Sequence, residues 1–241
     1  MTRHPAPRPA DCDPQCVPCL IARLARSPSH GLELVGRHAP AGTWISREGE
    51  PLQFLSAVRH ASFRVSAMAR EGAEQVTAFR GPGELLGLDA MADEHHASSA
   101  MALEDSEVVS VPYTGLLEVL ALQPDVAHAV CKLLSRELVR GKKRMLLLGT
   151  LKAEERVAAF LLNMAVRIAP GEGCSTELPI PMTRAEIGSY LGLTLESVSR
   201  ILHRFQARGW LELTCRRLRT VAPGALRASF APQAVAPEAS R

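Results

Sequence analysis

The chain has 241 residues, which exceeds the usual size of one compact domain and predicts two folded units. Its 28 Lys and Arg residues against 25 Asp and Glu residues give a formal net charge of only +3, so any nucleic-acid site must be a local basic patch. Hydrophobic residues make up 46% of the sequence, but no run approaches the roughly 20 apolar residues that a membrane-spanning helix needs.

Residues 1–30 form an arm rich in proline and cysteine, in which the repeated prolines exclude a long helix. The start of the arm is polar and lacks the apolar core of a signal peptide, so we expect a cytoplasmic protein with no membrane partner. Three of the 6 cysteines of the chain, Cys12, Cys16 and Cys19, lie close together in this arm. In a reducing compartment their crowding favours metal or redox chemistry over a disulfide framework.

Residues 31–122 have the pattern of a small all-β domain. Short apolar runs at residues 54–58, 63–65, 75–79 and 108–111 are separated by turn signals at Gly49, Gly72, residues 81–83 and Asp93. Many short strands at this spacing predict a β-barrel or β-roll, which we interpret as a sensor domain.

Residues 123–150 carry a helical period instead. Apolar or small residues recur at alternating steps of four and three, the pattern of a coiled-coil seam, from Ala127 to Leu148. A single amphipathic helix packed on its own β-roll would give the same stripe. We favour a dimerisation helix, because the stripe is narrow and its flanks are charged; its seam comprises Leu134, Leu138, Gly141, Met145 and Leu148. Cys131 is then a small core hydrophobe within the seam.

Residues 151–225 are predicted to form a winged helix-turn-helix, and residues 226–241 a disordered tail. A helix over residues 153–168 is followed by a capping box of Thr183 and Glu186, a glycine break at Gly192 and a second helix capped by Thr194. Residues 210–213 and 218–221 can pair as a hairpin wing, whose tip carries Arg216, Arg217 and Arg219.

The second helix has the two faces of a DNA recognition helix. Val198, Ile201, Leu202 and Phe205 form its core face, whereas Glu196, Ser199 and Arg200 share a polar face near the end that enters the major groove. Arg200 can donate two hydrogen bonds to guanine, Glu196 can accept one from cytosine, and Ser199 can reach a base edge or a phosphate. The alternative is that Glu196 and Arg200 form only a surface ion pair. The candidate DNA-binding residues are Thr183, Thr194, Glu196, Ser197, Ser199, Arg200, His203, Arg204, Arg216 and Arg217, with Arg208 beside them.

With these residues in place, the chain resembles the CRP/FNR superfamily of bacterial transcription regulators, most of all its FNR (fumarate and nitrate reduction) branch. The similarity covers residues 83–90, 145–148, 153–160 and 182–205, and spans roughly residues 40–221. It implies an α+β fold with a cyclic-nucleotide-binding-like β-roll, a long dimerisation helix and a winged helix-turn-helix. It also implies a homodimer on a palindromic TTGAT-like operator, contact with RNA polymerase, and base contacts by Glu196, Ser199 and Arg200.

The resemblance gives two expectations about the signal. Members that bind cyclic AMP hold its phosphate with an arginine after the Gly-Glu turn, but residues 94–100 contain no arginine, which argues against cyclic AMP. In this stretch His95 and His96 are potential metal ligands, although adjacent loop histidines are more often solvated polar residues.

Oxygen-sensing members bind an iron-sulfur cluster through three arm cysteines and one cysteine of the β-roll. Cys16 and Cys19 match two of these ligands, but the other two positions are Ala25 and Val109, which cannot coordinate iron. Cys12 and Cys131 are possible substitutes, whereas Cys174 and Cys215 are isolated and interpreted as structural or incidental. The cysteine triplet is therefore open to four interpretations: a labile cluster, another thiophilic metal, a redox thiol switch, or no present role.

No phosphate-binding loop, nucleophile elbow or carboxylate pair occurs in a catalytic motif, so the chain is not predicted to be an enzyme. The sequence predicts a DNA-binding transcription regulator that responds to oxygen or redox state. The alternative is a metal or thiol redox sensor whose primary event is at Cys12, Cys16 and Cys19, with DNA binding as its output.

Overall fold

A computed structural model of the protein describes residues 34–69, 72–168, 177–213, 217–220, 224 and 226. The predictions for the arm, including Cys12, Cys16, Cys19 and Ala25, lie outside the described residues, as do those for Cys174, Cys215, Arg216 and residues 227–241. The chain divides into two compact units, Met1–Leu138 and Val139–Arg241. Among the described residues no helix is long and apolar enough to cross a membrane.

The first unit contains a β-roll of two four-stranded antiparallel sheets. One has the strand order β1 (Val35–Ala39), β8 (Ser106–Pro112), β3 (Phe54–His60), β6 (Leu85–Leu86). The other has the order β2 (Trp44–Ser46), β7 (Ser99–Ala102), β4 (Phe63–Met68), β5 (Glu74–Arg80). The four strands predicted from apolar runs are confirmed, and β1, β2, β6 and β7 are additions.

The inner faces of the two sheets form the core of the roll. Phe63, Val58 and Val108 are almost completely buried, because alternate residues of each strand point to the same face. Ser56 and Ser110 are also buried, and their hydroxyl oxygens are 2.8 Å apart, so one hydroxyl donates a hydrogen bond to the other. This core fixes the register of β3 and β8 at the centre of the first sheet.

Two helices follow the roll. Helix α1 (Tyr113–Leu122), which has no counterpart among the predictions, packs Leu116 and Val119 against the β-roll core. Helix α2 (Pro124–Thr150) has 27 residues, so it is about 40 Å long. Its first turns bury Val126 and Val130 in the same core. The alternative interpretation, an amphipathic helix packed on its own β-roll, is therefore correct for the first turns of α2.

The later turns of α2 expose apolar side chains instead. Leu138 is 68% exposed and Met145 is 74% exposed, and Gly141 is also exposed. Leu134 packs partly against the β-roll core, and Leu148 is half-buried. Cys131 is exposed, so the prediction that it is a core hydrophobe does not hold within one subunit.

The second unit contains the predicted helix-turn-helix and wing. Helix α3 (Ala153–Ile168) is followed by β9 (Glu177–Pro179), α4 (Arg184–Leu191), α5 (Leu195–Ala207), β10 (Leu211–Leu213) and β11 (Arg217–Thr220). The three strands form an antiparallel sheet in the order β10, β11, β9. Leu226 is helical and 0% exposed, so the folded domain includes this residue and the predicted tail, residues 226–241, begins one residue too early.

Candidate nucleic-acid interface

Helix α4 begins at the predicted capping box. The Thr183 hydroxyl accepts a hydrogen bond from the Glu186 backbone N–H (3.2 Å), and a Glu186 carboxylate oxygen accepts one from the Thr183 backbone N–H (2.7 Å). Two backbone donors of the first turn are thereby satisfied. The Thr183 side chain therefore stabilises the start of α4, and its hydroxyl also donates a hydrogen bond to a Glu186 carboxylate oxygen (2.9 Å).

The turn between α4 and α5 depends on two glycines. Gly192 has φ +64 and ends α4 in the left-handed conformation, as predicted. Gly188, inside α4, has a different role: a Cβ there would lie 2.7 Å from the Leu193 carbonyl oxygen. This close approach of the turn to α4 was not predicted, because a glycine inside a helical pattern gives no signal of its tertiary neighbours.

Helix α5 begins at Thr194, whose hydroxyl accepts a hydrogen bond from the Ser197 backbone N–H (3.2 Å). The N-cap prediction for Thr194 is therefore confirmed. Four side chains that recur at helical spacing bury one face of α5 against the unit's core, namely Val198, Ile201, Leu202 and Phe205. The opposite face is left to solvent.

The exposed face of α5 carries the predicted base-reading residues. Glu196 and Arg200 are exposed, and Ser199 is half-buried, with its hydroxyl oxygen accepting a hydrogen bond from the Arg184 guanidinium (3.3 Å). Leu195, at the first position of the helix, is 46% exposed beside them. Sequence analysis missed Leu195, because a leucine next to a helix cap is normally counted toward the core.

Glu196 is ionised at neutral pH. A hydrogen bond from its own backbone N–H, then one from the Thr194 side chain, lowers the pKa of its carboxyl group, and the positive charge of Arg200 acts in the same direction. A carboxylate can only accept hydrogen bonds, so the Glu196 side chain suits a donor such as the amino group of cytosine.

The C-terminal part of α5 faces α3. Arg204 forms an ion pair with Glu154 (2.9 Å), a residue of the first turn of α3, and Arg208 lies 3.6 Å from the same carboxylate. His203 is exposed. A shallow groove runs between α5 and the start of α3, and it is lined by Ala153, Ser197, Arg200, Ile201, His203 and Arg204. Glu154 was not among the predicted site residues, since its partners are about fifty residues away in the sequence.

The hairpin wing is confirmed by the pairing of β10 with β11. Leu213 pairs with Leu218 and Leu211 with Thr220, while Arg217 begins β11 and pairs with Pro179 of β9. Arg217 therefore lies next to the tip, as predicted.

Two arginines outside the helix-turn-helix hold the end of α4. The guanidinium of Arg144, on α2, lies 4.6 Å from the centre of the Tyr190 ring and donates a hydrogen bond to the Tyr190 carbonyl oxygen (3.4 Å). Arg156, on α3, donates to the carbonyl oxygens of Leu191 (3.1 Å) and Leu151 (2.9 Å). Burial lowers the pKa of Arg144, and the nearby Tyr190 acts in the opposite direction. These contacts satisfy carbonyl groups that a helix end leaves without partners.

In the β-roll, the side chains at the positions where relatives bind cyclic AMP or an iron-sulfur cluster make contacts within the protein. Ser98 donates a hydrogen bond to Asp89 (2.7 Å), and Ser99 accepts one from the Glu48 backbone N–H (2.9 Å). His96 is 7% exposed, which corrects the expectation of a solvated loop histidine for this residue, whereas His95 is exposed. Val109 packs against the β-roll core from β8. Among the described residues no group of three or more His, Cys, Asp or Glu side chains could hold a metal ion.

A β-roll followed by a long helix and a capped helix-turn-helix with a three-stranded wing defines a regulator that binds DNA. Residues 36–123 match the cyclic nucleotide-binding domain, and residues 155–229 match the Crp-like helix-turn-helix domain. The chain belongs to the CRP/FNR family of transcription regulators.

Individual relatives agree with this assignment. The chain is 40% identical over 172 residues to the transcriptional regulatory protein btr of Bordetella pertussis, an alignment that covers 71% of each chain. It is 35% identical over 209 residues to the fumarate and nitrate reduction regulatory protein of Salmonella typhimurium, covering 83% of this chain and 84% of that protein. FixK2 from Bradyrhizobium japonicum, a solved structure, matches with a TM-score of 0.77 and 31% identity over 84% of this chain and 100% of that chain. The two curated relatives are regulatory proteins and the chain belongs to their family, so the prediction that the chain is not an enzyme is confirmed.

Proposed function

We propose that this protein binds a palindromic TTGAT-like operator as a homodimer and regulates transcription there in response to oxygen or redox state. The observation that carries the proposal is the exposed face of α5, where Glu196 and Arg200 point away from the buried stripe of the same helix. A helix with one face fixed in a core and the other free at its N-terminal end is suited to the major groove.

Three side chains of this face give three kinds of base contact. The Arg200 guanidinium can donate a pair of hydrogen bonds to guanine, and the ionised Glu196 can accept one from cytosine. Leu195, with 46% of its surface exposed, offers an apolar contact to the methyl group of thymine. The Ser199 hydroxyl accepts a hydrogen bond from Arg184, whose guanidinium group supplies a positive charge for a DNA phosphate.

The second half of α2 supports the homodimer. Leu138 and Met145 are largely exposed, although large apolar side chains on a helix usually find a partner, and both lie on the predicted heptad seam. A second copy of the chain supplies the same stripe in a two-fold arrangement, which gives the palindromic operator. We also propose that the dimer contacts RNA polymerase and that it acts in the cytoplasm, where the operator DNA is found.

The side chains of the β-roll narrow the class of signal that the protein can sense. Support against cyclic AMP comes from the Ser98–Asp89 contact, because a carboxylate is a poor neighbour for a phosphate and the surrounding stretch has no arginine. Val109 packs as an aliphatic side chain where the resemblance requires a ligand, so a four-cysteine cluster does not fit. Redox chemistry at the thiols of Cys12, Cys16 and Cys19 remains the alternative, with or without a metal. Ultraviolet-visible spectra, together with iron and sulfide analysis of anaerobically purified protein, show whether these thiols hold a metal or act without one.

The test of DNA binding is Arg200→Ala, measured by fluorescence anisotropy on TTGAT-like duplexes with each base pair of the half-site changed in turn. We expect a loss of about 1–3 kcal/mol and relaxed discrimination at one base pair. Arg59→Ala, which removes the same charge from an exposed site on β3, is the control and should bind normally. Unchanged binding and unchanged discrimination by Arg200→Ala would contradict the proposal.

A further inference from the structure

Glu154 is an acidic residue among the basic residues of the DNA-reading unit. Its carboxylate contacts both arginines at the C-terminal end of α5, Arg204 at 2.9 Å and Arg208 at 3.6 Å. The Arg208 guanidinium also lies 4.9 Å from the centre of the Trp210 ring, which holds it against the domain. One carboxylate is thus shared by two guanidinium groups next to the groove on the recognition helix.

The exposure of these three side chains sets the strength of the contacts. The side chains of Arg204 and Arg208 are 55% and 47% exposed, and that of Glu154 is 32% exposed. Ion pairs in such solvent-exposed surroundings are weak, so they form and break readily. The arginines are therefore paired in the free protein but available to a stronger anion.

We propose that Glu154 restrains sequence-independent DNA binding by competing with DNA phosphates for Arg204 and Arg208. Duplex DNA presents a phosphate charge about every 1.7 Å, and each arginine that binds one releases a counterion. Because Glu154 already neutralises these arginines in the free protein, part of the affinity gained from counterion release is lost. The base contacts of Glu196 and Arg200 are unaffected, so the restraint falls on the part of the affinity that carries no sequence information. This inference rests on the DNA-binding function proposed above.

The test is Glu154→Gln in the full-length chain, with fluorescence anisotropy on a random-sequence duplex and on a TTGAT-like duplex over a range of salt concentrations. Glutamine keeps the shape and an acceptor oxygen but removes the charge. We expect affinity for the random duplex to rise about threefold to tenfold at low salt. The slope of log affinity against log salt should steepen by about 1–2 per subunit, since up to two further phosphate contacts form.

Glu155→Gln is the matched control. It removes the same charge one residue along the same helix turn, but the Glu155 carboxylate accepts a hydrogen bond from the Lys152 backbone N–H (2.7 Å). We expect a much smaller change in affinity and salt slope. A second comparison uses the double variant Arg204→Ala, Arg208→Ala. Adding Glu154→Gln to this variant should give no gain in affinity for the random-sequence duplex. A role of Glu154 only in starting α3 would give the same effect with or without the two arginines.

The outcomes separate the two proposals. Unchanged or weaker random-duplex binding by Glu154→Gln, in a protein whose wild type binds the TTGAT-like duplex selectively, overturns the inference and leaves the DNA-binding function standing. A folded wild type that binds neither duplex overturns the proposed function and the inference with it.

Discussion

The glycine inside α4 gives a quantitative prediction about the turn of the helix-turn-helix. In Gly188→Ala the new Cβ would lie 2.7 Å from the Leu193 carbonyl oxygen and 3.3 Å from the Thr194 carbonyl carbon. Both are backbone atoms, and the Leu193 backbone N–H donates to the Gly188 carbonyl oxygen (2.9 Å), so the turn cannot move without losing this bond. The turn and α4 must therefore separate.

The expected magnitude follows from two opposing effects. Alanine ordinarily stabilises a helix by about 1 kcal/mol relative to glycine, whereas overpacking of a closely packed site costs about 1–3 kcal/mol. Because backbone atoms are involved, we expect the larger part of that range and a net loss of about 1–2 kcal/mol in the stability of the DNA-reading unit. Operator affinity should fall as well, since Thr194 and the start of α5 are displaced.

Gly149→Ala is the control, because Gly149 lies in α2 and a Cβ there would meet nothing within 4 Å. It should stabilise the protein by up to about 1 kcal/mol. The chain has 2 tryptophans, and Trp210 packs against Phe205 with ring centres 5.3 Å apart, so in a Trp44→Phe background its fluorescence follows urea unfolding of this unit alone. If Gly188→Ala proved as stable as Gly149→Ala and bound the operator normally, the argument from close approach would be refuted.

Two further predictions concern the dimer and the recognition helix. Glutamate in place of both Leu138 and Met145 should give a monomer in sedimentation, because burial of each side chain contributes about 1.5–3 kcal/mol; Leu122→Glu, at an exposed site on α1, should not. For Glu196, the lowered pKa means that the carboxylate form is favoured in the folded state. Its stabilising effect is complete above the ordinary pKa of 4.5 and is lost as the pH falls through the lowered value. The stability difference between wild type and Glu196→Gln, measured by urea unfolding, should therefore shrink only below about pH 4.5, and a difference that already declines near neutral pH would contradict this.

The helix-turn-helix was predictable because its signals are local. Thr183, Gly192 and Thr194 act on backbone groups within three or four residues, so the sequence around each position contains its partners. The same holds for the apolar stripe of α5. The β-roll was predictable only in part, since alternation marks a strand but does not select its neighbour, and the pairing of β1 with β8 spans most of the domain.

The contacts that sequence reasoning missed are tertiary. The close approach at Gly188 and the pairing of Glu154 with Arg204 depend on how α3, α4 and α5 pack, and no local pattern encodes that packing. The burial of His96 is of the same kind: its polar side chain and loop position favoured exposure, but the fold covers it. The partners of these residues are distant in the sequence and are brought together by the fold alone.

The arginine contacts of α4 bear on how a dimer would present its recognition helices. Arg144 belongs to the part of α2 that lies in the same compact unit as the helix-turn-helix, and it holds the carbonyl end of α4 together with Arg156. Two recognition helices can occupy successive major grooves only when they lie about one DNA turn apart. If α2 forms the dimer, Arg144 connects the second half of that helix to the carbonyl end of α4 by contacts within one compact unit.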